Sequence, residues 1–129
     1  MPRTAAALLL ALAAAAPAAA PAAAEPITTP SGLEVTLFDV VLEPDAGLAR
    51  FRFVAPPLSG LAFEAVQGDF PWLCANVALP ALAANSRTVA QVIVSVSDRE
   101  LPLGVTDPDA VQYFEGFRIE DAACLWEPY

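Results

Sequence analysis

The chain has 129 residues, 6 Lys plus Arg against 15 Asp plus Glu, a formal net charge of −9, and neither His nor Lys. Without His there is no imidazole base for a Ser–His or Cys–His pair and no His metal ligand; without Lys there is no Schiff base. An acidic surface of this kind repels phosphate backbones, which sets nucleic-acid binding aside and favours solubility and basic partners.

Residues 1–24 read as a secretory signal peptide. Arg3 and the amino terminus give a short positive region. Residues 5–16 are apolar around Leu8, Leu9, Leu10 and Leu12, and small residues lead to Ala22, Ala23 and Ala24 before Glu25. That order predicts an A-x-A cleavage site between Ala24 and Glu25. An uncleaved anchor is the competing reading, since the stretch is almost long enough to span a bilayer. It is mostly Ala, however, and Pro17 and Pro21 break a spanning helix. The expected location is periplasmic or secreted, with no membrane span after cleavage. Losing Arg3 leaves the domain one charge more negative than the whole chain.

Residues 25–32 are rich in Pro and turn formers and read as a flexible lead-in to a single domain over 33–129. In 33–42, Leu33, Val35 and Leu37 alternate with Glu34, Thr36 and Phe38, the pattern of a strand with one buried face. A turn over 43–47 contains Pro44 and Gly47. The alternation resumes in 48–55, with Phe51 and Phe53 opposite Arg50 and Arg52, so the two strands form a hairpin.

After a break over 56–60 the period changes. Phe63, Val66, Phe70, Leu73 and Val77 are spaced three and four apart and line one helical face. Gly68 and Pro71 interrupt that helix. Either it kinks there, or Asp69 caps a second, shorter helix with Pro71 in its first turn. Leu79 and Pro80 end the segment, and 81–87 is a connector.

Residues 88–97 carry the strongest strand signal, with Val92, Val94 and Val96 on one face and Ile93, Ser95 and Ser97 on the other. Residues 98–100 form a turn, 101–104 a short edge piece, and 107–109 a helix start or a turn. Residues 111–119 fit a helical face through Val111, Phe114 and Phe117, but Gly116 and the aromatic content favour a strand. A turn over 120–123 then leads into a last strand, 124–129, with Cys124 and Trp126 on one face.

There is no Gly-rich phosphate loop and no dinucleotide fingerprint, so no cofactor is expected. Two Cys make a zinc site only with carboxylates completing it. In an exported chain, Cys74 and Cys124 are expected to form one disulfide tying the helix to the C-terminal strand. A reactive thiolate would have only an Arg or a helix N-terminus to activate it.

Carboxylate pairs, Asp107 with Asp109 and Glu120 with Asp121, have the right chemistry for hydrolysis or Ca²⁺, but no twelve-residue calcium loop is present, and solvated surface is the plainer reading. Arg99 and Arg118 offer either an anion site or ion pairs with Asp98, Glu115 or Glu127. Trp72, Tyr113, Phe114, Phe117, Trp126 and Tyr129 concentrate near the two Cys. They form either an aromatic core around the bridge or an exposed platform. Trp72, Arg99, Tyr113, Arg118 and Trp126 are the candidate binding surface.

The segments Trp72-Leu73-Cys74, Ser97-Asp98-Arg99, Tyr113-Phe114-Glu115-Gly116-Phe117-Arg118 and Cys124-Leu125-Trp126-Glu127, in this order after a signal peptide, resemble a family of small exported alphaproteobacterial proteins known as a domain of unknown function. The resemblance spans essentially the whole exported part and implies no activity.

These readings converge on a small α+β domain with an N-terminal hairpin, one interrupted helix, a mainly antiparallel sheet and one disulfide. The expected role is a non-catalytic periplasmic binding or envelope-accessory protein, in its specific form an acidic binder or inhibitor of a basic exported protein. The alternative, a carboxylate-based hydrolase of glycan-type substrates, requires two carboxyl groups facing each other about 5–10 Å apart across a cleft.

Overall fold

A computed structural model describes residues 24–128. The signal-peptide reading of 1–23 and the aromatic ring of Tyr129 lie outside the described residues; Ala24 and Glu25 are exposed.

Among the described residues six strands form one sheet in sequence order: β1 (Ile27–Thr28), β2 (Glu34–Glu43), β3 (Leu48–Val54), β4 (Gln91–Ser97), β5 (Gln112–Glu120) and β6 (Ala123–Glu127). The expected hairpin is β2–β3, closed by a 3-10 turn over Pro44–Ala46 and by Gly47. Gly47 takes φ +63°, and its carbonyl accepts from the Ala90 and Gln91 amides, which seats the start of β4. Every neighbouring pair is antiparallel except β3–β4. Parallel neighbours need a long crossover, and the helical segment between Pro56 and Ala84 supplies it.

That segment comprises a 3-10 turn over Pro56–Gly60, α1 (Phe63–Val66), α2 (Asp69–Leu73), a π turn over Cys74–Ala78 and α3 (Leu79–Ala84). Val66, Phe70, Leu73, Ala78 and Leu82 are buried against Phe51, Phe53, Val92, Val94, Val96 and Phe117 of the sheet. The three-four spacing read from the sequence thus marks the helical face of the core.

Several local expectations are corrected. Leu79 and Pro80 do not end the helix. The π turn widens the spiral so that the Leu79 amide reaches the Cys74 carbonyl, and Pro80 enters a fresh helical turn near its start, where its missing N–H is tolerated. Residues 81–87 are therefore helical as far as Ala84. Asp69 caps nothing: α2 has no side-chain cap, and the Asp69 carboxylate turns to the N-terminal segment. Residues 25–32 are more than a lead-in, because β1 pairs Ile27 with Val35 and Thr29 is buried. Residues 101–104 form no strand, residues 107–109 form a turn, and the strand expected from residue 88 begins at Gln91. Residues 111–119 are the strand β5, as favoured, and β6 ends at Glu127.

Asp69 and the N-terminal segment make one polar knot, in which Thr29 and Asp69 are buried and Ser31 stands at the surface. Thr29 Oγ1 donates to Asp69 Oδ2 at 2.7 Å, the Ser31 amide donates to Oδ1 at 3.0 Å, and the Ser31 hydroxyl also donates to Oδ2. Asp69 is only 2% exposed, and a buried carboxylate is stable only with donors of this kind around it. Cys74 and Cys124 form the expected disulfide, with Cα atoms 6.3 Å apart, joining the π turn to β6.

Candidate functional site

A β-bulge sets up the face of the sheet away from the helices. Between Leu37 and Asp39 the β2–β3 register slips, leaving Phe38 as the extra residue. Leu37 still faces the core beside Phe53, but beyond the bulge the parity inverts. Val40 and Leu42 then lie on the helix side, and Asp39, Val41 and Glu43 on the other. On that second face Asp39, Arg52, Ser95 and Phe114 share one cross-sheet row. Val41, Arg50, Ile93 and Gly116 share the next, and Glu43, Leu48, Gln91, Arg118 and Leu125 a third.

Two cations on adjacent rows of β3 need compensation, and both have it. Arg52, 5% exposed, donates to Asp39 at 2.7 Å and to the Leu101 carbonyl, and its guanidinium lies 4.9 Å over the Phe38 ring. Arg50 pairs with Glu43 at 3.3 Å. The bond to Leu101 matters most for architecture, because it draws the β4–β5 connection, residues 98–111, across this face and buries the Leu101 side chain.

The neck of that loop is latched. The Asp98 amide donates to the Val111 carbonyl at 2.9 Å. Arg99 grips the Asp98 carboxylate through two nitrogens at 3.0 and 3.2 Å, donates to the Asp109 carbonyl at 3.0 Å and lies 3.7 Å from Asp107. The Arg99 hydrogen bond holds the Asp98 carboxyl below its ordinary range, against burial, which raises it; Asp98 in turn raises Arg99. Asp107 also accepts the Asp109 amide, fixing the turn beyond the loop tip.

Between loop and sheet lies a groove of about 540 Å³, within the size range of small-ligand sites. Its floor includes Ile93, Ser95, Gln112 and Phe114, and its outer wall includes Leu101, Leu103 and Val105. Glu43, Arg50, Arg52 and Asp107 are the charged residues of the lining, and each is held in an ion pair. Leu103, Val105 and Phe114 are about half exposed at the mouth.

The five residues of the sequence-derived candidate surface do not assemble into one site. Arg99 is the loop latch. Arg118 pairs with Glu120 at 3.0 Å, not with Glu115 or Glu127. Tyr113 donates its hydroxyl to the Leu61 carbonyl at 2.8 Å and stacks edge-on against Phe63, so it serves the core side. Trp72 is half-buried against the core, whereas Trp126 is 64% exposed and donates its indole N–H to Glu115. The aromatics therefore divide: Phe117 is core, Phe114 belongs to the groove and Trp126 stands outside. Of the carboxylate pairs, Asp107 and Asp109 build the loop turn, while Glu120 and Asp121 end β5 at a tight turn in which Asp121 and Ala122 have positive φ.

Sequence reasoning missed the groove residues Ser95, Gln112 and Ile93, and the anchoring role of Arg52. The available signal was the second face of β4. There Ile93 places a large apolar side chain on the face away from the core, which calls for a cover, and in the structure Ile93, Ser95 and Ser97 are all buried.

Fold and site together define a disulfide-linked α+β domain with one sheet face covered by helices and the other roofed by a latched loop. Residues 8–129 match the model of a family of unknown function, DUF6497, and the chain belongs to that family. No curated protein and no solved structure matches it.

Proposed function

We propose that the chain acts outside the cytoplasm as a non-catalytic binding protein whose ligand sits in the groove between the loop 98–111 and the open face of the sheet. The observation that carries this reading is the groove's lining. It is concave and largely apolar, and its charged side chains are committed to ion pairs, an arrangement suited to holding a molecule more than to moving protons. The signal-peptide pattern of residues 1–24 and the Cys74–Cys124 bridge support an oxidising location. Native mass spectrometry of the protein isolated from the periplasm of its host tests the reading. The expected species starts at Glu25, has lost two hydrogens to the bridge and carries a small-molecule adduct. An intact Met1 with two alkylatable thiols contradicts export.

A second reading, an acidic partner for a basic exported protein, draws on a separate observation. Glu34, Asp45, Glu64, Glu100 and Asp121 are exposed and make no ion pair among the described residues, so the surplus negative charge there faces solvent. Capture at low salt of a basic periplasmic protein that is released at high salt supports this reading; recovery of nothing removes it. The hydrolase alternative has less support, since the groove carboxylates Glu43 and Asp107 each lie against an arginine.

A further inference from the structure

We infer that the groove selects a neutral, largely apolar small molecule bearing one hydrogen-bonding group, and that Ser95 and Gln112 read that group. This rests on the groove being the binding site and names the class of ligand it takes.

Ser95 is 5% exposed, yet its hydroxyl bonds to no described residue. A hydroxyl sealed away without a partner costs on the order of 1–3 kcal/mol. No side-chain N or O sealed from solvent among the described residues is left unpartnered, so the Ser95 oxygen must open into the groove it lines. Gln112, half-buried and also lining the groove, likewise spends neither end of its amide on the protein. The two belong to neighbouring rows on the same face of β4 and β5, since Ser95 pairs with Phe114 and Ser97 with Gln112. An acceptor and donor set therefore stands within a wall of Ile93, Phe114, Leu101, Leu103 and Val105.

The charges decide what this set recognises. Two arginines and two carboxylates line the groove, their formal charges cancel, and each is already ion-paired. A charged ligand would have to break one of those pairs or lie desolvated beside its like charge. A neutral ligand meets neither cost. Its polar atom takes Ser95 and Gln112, and its apolar body covers Phe114, Leu103 and Val105, which otherwise stand half in water.

N-phenyl-1-naphthylamine is a suitable probe: it is neutral, has one N–H, and brightens on leaving water. Titration into the disulfide-intact protein is expected to show one saturable site. A sulfonated anilinonaphthalene of similar body should bind at least tenfold more weakly. Ser95→Ala combined with Gln112→Leu should weaken the neutral probe about tenfold, and Phe114→Ala, at an exposed position that leaves folding intact, should weaken it comparably. Trp126→Ala should change nothing. Saturable binding that Phe114→Ala removes but the Ser95/Gln112 variant leaves untouched overturns the assigned ligand class while the groove stands. An equal or tighter fit for the sulfonate does the same. Loss on Trp126→Ala, or no saturable site for either probe, overturns the groove itself.

Discussion

Asp39 and Arg52 face each other across the β2–β3 hairpin at 2.7 Å, and Arg52 carries that contact on to the Leu101 carbonyl of the roofing loop. One guanidinium thus joins a bulged strand, the sheet and the loop. Arg52→Ala strands the Leu101 carbonyl and unpairs Asp39. Because Asp39 stays partly in water, the expected cost is below that of a fully buried pair, about 1–3 kcal/mol. Urea unfolding measures it. Arg52→Lys should recover little, because an ammonium cannot serve carboxylate, carbonyl and ring together.

Asp69→Ala should cost more locally than globally visible contacts suggest. It removes the acceptor shared by Thr29 and Ser31. The expected loss is about 3 kcal/mol, with faster hydrogen exchange of the Ser31 and Leu33 amides as its local signature. Unchanged exchange at both would show that the N-terminal segment is held by β1 alone.

Reduction of the Cys74–Cys124 bridge releases a loop closed over a sequence separation of 50. On the chain-entropy model the bridge stabilises the fold by about 4 kcal/mol, so Tm should fall on the order of 15 °C in reductant. Calorimetry with and without reductant checks this.

The Asp98–Arg99 latch sets a pH dependence. The folded carboxyl of Asp98 titrates below its ordinary value of 3.8, so its contribution is complete above that value and is lost as pH falls through the lower folded one. Arg99, raised, stays protonated throughout. Carbon-detected titration of Asp98 should show the low value. Arg99→Gln should move it upward, because the chief lowering influence is gone while burial remains.

Strand positions were legible in β2 and β3, where apolar residues alternate with polar ones, and in β4, where a run of β-branched residues marks a strand even though both of its faces are buried. The three-four spacing from Phe63 to Val77 located the helical face in the same way. What escaped depends on partners distant in sequence. The parallel β3–β4 pairing is set by where the crossover returns the chain. Asp69 looked like a cap because its partners, Thr29 and Ser31, lie some forty residues away. Pro80 reads as a terminator unless the preceding turn is known to widen. The groove was hidden because 98–111 has no regular structure and its place over the sheet hangs on Arg52.

Amide chemical-shift mapping of the isotope-labelled, disulfide-intact protein during titration with N-phenyl-1-naphthylamine tests the groove most directly. The shifts should concentrate at Ile93, Ser95, Leu101, Gln112, Phe114 and residues 103–106. Shifts gathered instead around Trp126 and the helices, or an unperturbed spectrum at saturating probe, would contradict it.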